Sequence, residues 1–252
     1  MPSDKIRAEH SPEAIRKRLS EDPSQNYLRD FIYGAIDGAV TTFAVVASVA
    51  ATGLSTGVVI IMGLANLLAD GFSMAAGNFL GTRAEIQTRD KRRRAEEKEI
   101  DSHPEGEREE IRQIFAAKGF EGEVLDQVVD VITSDKKRWV DTMITEEFGL
   151  PLNNPSAWKA AGVTYLAFVV VGFIPLITYI LEYLMPGTVG SPFAVASVLT
   201  GVAFFIVGTL KSRFVGKHWL WEGFETLGIG ALAAAIAYII GLLLKPLLDG
   251  VV

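Results

Sequence analysis

Two carboxylates stand where a bilayer would exclude them. Asp37 lies in the apolar run FIYGAIDGAVTTFAVVASVA and Asp70 in VVIIMGLANLLADGFSMAAGNFL. An ionised carboxylate at the centre of a membrane helix costs about 2.5 to 3.5 kcal/mol on insertion scales, so a pair implies that two helices enclose something polar, and a cation suits that role. In the second run Asn66, Asp70, Met74 and Asn78 recur every four residues and form one slowly drifting stripe on a helix. Oxygen ligands alone would serve Mg or Ca, whereas a thioether biases the set toward softer ions such as Fe(II). Taken alone, Met74 reads as packing. Asp37, deep in its run between Gly34 and Gly38, reads as functional.

A second acidic group lies in a polar stretch. Glu96 and Glu99 are three residues apart, as are Glu107 and Glu110, so each pair shares a helix face and repels itself unless a cation or a basic partner intervenes. On spacing alone, KRRRAEEKEI and EGEREEIR read as an ordinary solvated, salt-bridged surface. Met143 and Glu147, four apart, offer one soft and one hard ligand, but Met143 equally fits the apolar stripe that contains Trp139.

Five runs position these residues: Phe31 to Ala51, Gly57 to Leu80, Ala160 to Leu184, Phe193 to Leu210 and Thr226 to Leu247. Each is near the roughly 20 residues that about 30 Å of hydrocarbon requires. Positive mean hydropathy agrees with a membrane protein. The net charge of -6 conceals a segregation of the 24 Lys and Arg residues. Six precede the first run, fourteen lie between the second and third, and Lys211, Arg213 and Lys217 lie between the fourth and fifth, leaving only Lys245 for the other side. The positive-inside rule then places the N-terminus in the cytoplasm and the C-terminus outside, with five spans as the self-consistent count. Tyr27, Trp158, Tyr183, Trp219 and Trp221 fall near span ends, where interfacial aromatics belong. Three GxxxG spacings, Gly34/Gly38, Gly53/Gly57 and Gly77/Gly81, permit close helix approach within a chain or across a dimer, and Pro175 predicts a kink in the third span. The fold expected is all-α: a polytopic membrane protein with a polar N-terminal segment (1–30), spans 1 and 2 (31–82), a cytoplasmic helical insert (83–150) and spans 3 to 5 (151–252). Within the insert, helices are predicted from Pro104 to Gly119, over Gly122 to Thr133 and along DKKRWVDTMITEEFG, while GTRAEIQTRDKRRRAEEKEI continues the second span. The first thirty residues are too charged for a cleaved signal peptide. The absence of cysteine excludes disulfides and thiolate sites.

Taken together, AIDGAVTTFAVV, ANLLADGFSMAAGNFL, EIRQIFAAKGF and KRWVDTMITEEFGL make the chain resemble the vacuolar iron transporter family over nearly its whole length from Tyr27. The resemblance implies a homodimer whose first two spans line the ion path, with Asp37 and Met74 matching an aspartate and a methionine of that path. It also implies that the insert binds metal through Glu96, Glu99, Glu107, Glu110 and Glu147 and through two adjacent methionines. The first of these is Met143, but Ile144 stands in the second position, which removes one soft ligand.

The expected activity is export of Fe(II), with Mn(II) a further candidate, from the cytoplasm. Proton antiport is implied by the resemblance and is physically open to Asp37 and Asp70, since a carboxylate in low dielectric holds its proton until a cation arrives. No permanently bound cofactor and no nucleic-acid partner is expected. Bound partners are divalent metal ions, protons, the lipid membrane and a second copy of the chain. The membrane is the cytoplasmic one in a bacterium and the vacuolar one in a eukaryote. Three alternatives stand beside this: a passive metal channel, an iron sensor or storage module, and a ferritin-like oxidase. The last requires Glu-x-x-His pairs, and none of His10, His103 and His218 has a glutamate three residues before it.

Overall fold

A computed structural model describes residues 8, 10–20 and 26–247, so parts of the expected N-terminal segment (1–7, 9 and 21–25) lie outside the described residues. Among the described residues the chain is helical throughout: α1 (Pro12–Ser20), α2 (Leu28–Thr52), α3 (Thr56–Ser102), α4 (Pro104–Ala117), α5 (Gly122–Thr133), α6 (Lys136–Glu146), α7 (Ala157–Gly172), α8 (Ile174–Leu184), α9 (Pro192–Val215) and α10 (Trp219–Leu244). Four helices are long and apolar enough to cross a membrane, and a fifth span results if α7 and α8, bent by 47°, count as one. The bend follows from Pro175, which lacks the N–H that would continue the ladder across Phe173. Helix is the form such segments must take, because hydrocarbon offers no partner for backbone N–H and C=O groups.

The chain divides into two compact units, Tyr27–Thr82 with Ser156–Val252, and Met1–Asn26 with Arg83–Pro155. In the first, backbones touch where glycine removes the side chain. A Cβ on Gly34 would lie 2.3 Å from the carbonyl oxygen of Thr164, and one on Gly38 at 2.3 Å from that of Phe168, so α2 and α7 cross in contact. α10 joins them through Gly241, 2.4 Å by the same measure from the carbonyl of Ser48 on α2. The Gly34/Gly38 spacing is therefore consumed inside the chain, whereas a Cβ on Gly77 or Gly81 would meet nothing within 4 Å from another element among the described residues. Gly53 instead ends α2 in the left-handed conformation, with φ of 79°.

The second unit has its own apolar core of Ile100, Ile111, Leu125, Val129, Ile132, Trp139, Val140, Met143 and Ile144, supplied by the end of α3 and by α4, α5 and α6. Asp135 caps α6, accepting from the backbone N–H of Arg138 at 2.7 Å, and an Arg93–Asp141 ion pair of 2.7 Å ties α6 to α3. α3 runs unbroken through 47 residues. At 1.5 Å per residue that is about 70 Å, so only its apolar first half can lie within roughly 30 Å of hydrocarbon.

Candidate metal sites

The register between α2 and α3 is fixed by a polar knot. Asn78 donates through Nδ2 to Oδ1 of Asp30 at 2.8 Å and to Oγ1 of Thr164 at 2.7 Å. Thr82 donates to Oδ1 of Asn78 at 3.3 Å, and Thr164 to the backbone carbonyl of Asp30 at 3.4 Å. Because α2 and α3 run antiparallel, moving seven residues up α2 and eight down α3 from this knot brings Asp37 opposite Asp70. The two carboxylates stand within electrostatic reach of each other. Asp37 is half-buried, and Asp70 is exposed on the single chain. By helix rise Asp37 lies about 14 Å from the start of α2 and Asp70 about 21 Å from the start of α3, both at span depth. Met74, one turn beyond Asp70, is half-buried and packs on the apolar core of Phe43, Leu67 and Phe168. Of the stripe, Asn78 is committed to the knot, while Asn66 keeps a buried Nδ2 with no hydrogen-bond partner among the described residues.

The knot could not be singled out from the sequence, because acids and amides near helix ends are common. Its one signal is arithmetic: once Asp37 faces Asp70 in an antiparallel pair, Asp30 falls opposite Asn78.

In the insert unit the fold brings together all five glutamates. Glu96 on α3 and Glu107 on α4 are buried, at 1% and 7% exposure, and their carboxyl groups are in hydrogen-bonding contact. Oε1 of Glu96 and Oε2 of Glu107 have no hydrogen-bond partner among the described residues. Burial, the bond to Glu107 and the charges of Glu107, Glu147 and Glu99 push Glu96 up to about 8. Glu110 and Glu147 are likewise raised, first by burial and then by one another's neighbours in the cluster: Glu107 and Glu99 act on Glu110, and Glu110, Glu107 and Glu99 on Glu147. Arg92 opposes the shift at Glu147, with its guanidinium 5.0 Å from the centre of the Phe148 ring. Burial and the neighbouring charges thus disfavour the ionised forms of Glu96, Glu110 and Glu147 within this set. Among the described residues no three acidic or histidine side chains are already gathered as a metal cage. Met143 is fully buried in the insert core beside Ile144, one helical turn before Glu147.

Three other features lie apart from these acids. An apolar cavity of about 360 Å³ between α2, α9 and α10, lined by residues such as Phe43, Thr200, Phe204 and Tyr238, has no carboxylate, imidazole, ammonium or guanidinium in its lining. Glu222 is fully buried and paired with Lys211 at 2.6 Å. Glu182 accepts from the backbone N–H groups of Gly187 and Val189 at 2.8 and 3.0 Å and so closes the loop after α8.

A helical membrane unit with acids at span depth, joined to an acidic helical insert, defines an all-α polytopic membrane protein. Comparison with known proteins assigns the chain more narrowly. The VIT family profile matches residues 28–242. "Vacuolar iron transporter 1" of Arabidopsis thaliana is 34% identical over 213 residues, covering 84% of this chain and 83% of that protein. "Vacuolar iron transporter" of Toxoplasma gondii is 31% identical over 251 residues, 95% and 83% respectively, and "Vacuolar iron transporter 2" of Oryza sativa subsp. japonica is 33% identical over 212 residues, 84% and 85%. The chain belongs to the vacuolar iron transporter (VIT) family.

Proposed function

We propose that the chain transports Fe(II), and Mn(II) as a second substrate, out of the cytoplasm in exchange for protons. The observation that carries this is the facing of Asp37 and Asp70 at span depth, supported by relatives named as iron transporters. As a member of a family of transporters, the chain is not an enzyme. The two facing carboxylates are the groups that would exchange protons for a divalent ion along the path. Met74 adds a soft donor on the same stripe. The exposed carboxylate of Asp70, and exposed Ile61, Leu68, Phe72 and Leu80 on the same helix, suit a second copy closing over the path, and the free Gly77/Gly81 spacing would let the helices approach. The N-terminus and insert take the cytoplasmic side by the distribution of basic residues.

The insert collects metal before transport. Glu96, Glu99, Glu107, Glu110 and Glu147 supply hard oxygen ligands that a divalent ion draws together as it displaces protons, with Met143 as the soft donor next to Glu147. Purified protein in proteoliposomes tests the coupling. Fe(II) uptake should follow an imposed pH gradient and collapse when the gradient is dissipated. Fe(II) that moves equally well without a gradient would make the protein a channel, and Fe(II) that binds without moving would leave a sensor or store.

A further inference from the structure

The turn between α9 and α10 carries charge and aromatic surface that the ion path leaves unused. Its acids are occupied internally. Glu222 pairs with Lys211 at 2.6 Å and Lys217 at 3.4 Å, and Glu225 lies 3.6 Å from Lys211. Arg213, in the last turn of α9, is exposed and has no acidic partner among the described residues. Lys217 stays 60% exposed despite its contact with Glu222. Positive charge is thus left facing outward at a place where two spans leave the hydrocarbon.

Beside it lies an exposed aromatic rim. Trp219 is held edge-on to Phe205 at 6.1 Å and stacked with His218 at 6.2 Å, yet remains 49% exposed. Trp221 is 69% exposed, and Phe214 and Phe224 are more than half exposed. Indole rings with an apolar body and a polar N–H sit at headgroup depth. A free phosphate would satisfy the cations but leave these rings in water. A phospholipid satisfies both, with an anion above and acyl chain below.

We propose that the α9–α10 turn is a binding surface for anionic phospholipid headgroups, with Arg213 and Lys217 facing the lipid phosphate and Trp219 and Trp221 seated at the headgroup boundary. This rests on the spans and on charge complementarity, not on the identity of the transported ion. Each basic group near an anionic membrane surface contributes attraction equivalent to about a fivefold change in binding.

The test uses the full chain in detergent micelles, titrated with phosphatidylglycerol or with phosphatidylcholine, with bound lipid counted by native mass spectrometry and the unfolding midpoint recorded. Wild type should retain phosphatidylglycerol in preference and be stabilised more by it. Arg213→Gln should weaken that preference about fivefold, Arg213→Gln/Lys217→Gln more, and Arg213→Lys should restore it, with unchanged midpoints in phosphatidylcholine showing that the Arg213 variants fold. Equal retention of the two lipids by wild type, or an Arg213→Gln variant as selective as wild type, would overturn the proposal.

Discussion

Glu96 shows how placement changes what a residue type means. In the sequence it belongs to a charged run that looks solvated. In the fold it is buried against Glu107 and carries its proton up to about pH 8, whereas the unfolded carboxyl releases it near the ordinary value of 4.5. Between those values the native state binds more protons than the unfolded state, so stability falls as pH rises through the window and is favoured below it. With metal chelated, the insert should be most protected from hydrogen exchange near pH 5 and lose protection toward pH 8. Added divalent metal should flatten that dependence by taking the place of the proton, and protection that rises with pH in the metal-free protein would contradict the buried pair. Met143, the soft donor proposed beside Glu147, is at the same time part of the insert's apolar core. Met143→Ala should destabilise the insert by about 2 to 5 kcal/mol, measured by denaturant unfolding followed through hydrogen exchange of α6.

Among elements, the three glycine pairs share one spacing and differ in use. Gly38→Ala would drive a Cβ to 2.3 Å from the Phe168 carbonyl oxygen, so the α2–α7 crossing must open, at a cost of about 1 to 3 kcal/mol by analogy with overpacked cores. Its unfolding midpoint in detergent should fall, while that of Gly77→Ala should not. Gly77→Leu should instead weaken self-association in light scattering, if α3 is the face that a second copy covers. Sequence spacing alone could not separate these pairs, because the difference lies in which helix stands opposite. Helices α4 and α5, and the break at Pro175, were legible because Pro, Gly and apolar period are local signals. The pairing of buried Glu222 with half-buried Lys211 was less so, since the tight turn that brings the two together is a tertiary feature, although a lysine closing one span and a glutamate opening the next hint at it.

For the whole molecule, the five apolar runs and the skew of basic residues made the membrane architecture legible, and the acids within runs marked Asp37 and Asp70. The insert glutamates were legible only through family resemblance, because i, i+3 spacing does not say that α4 will fold two of them under cover. The most direct measurement compares Fe(II) flux into proteoliposomes, driven by a pH gradient, for wild type, Asp37→Ala, and a variant with the five insert glutamates changed to glutamine. Asp37→Ala should abolish flux at every Fe(II) concentration. The insert variant should keep a similar maximal rate and need more Fe(II) to reach it. Full flux through Asp37→Ala would contradict a path between the acidic spans.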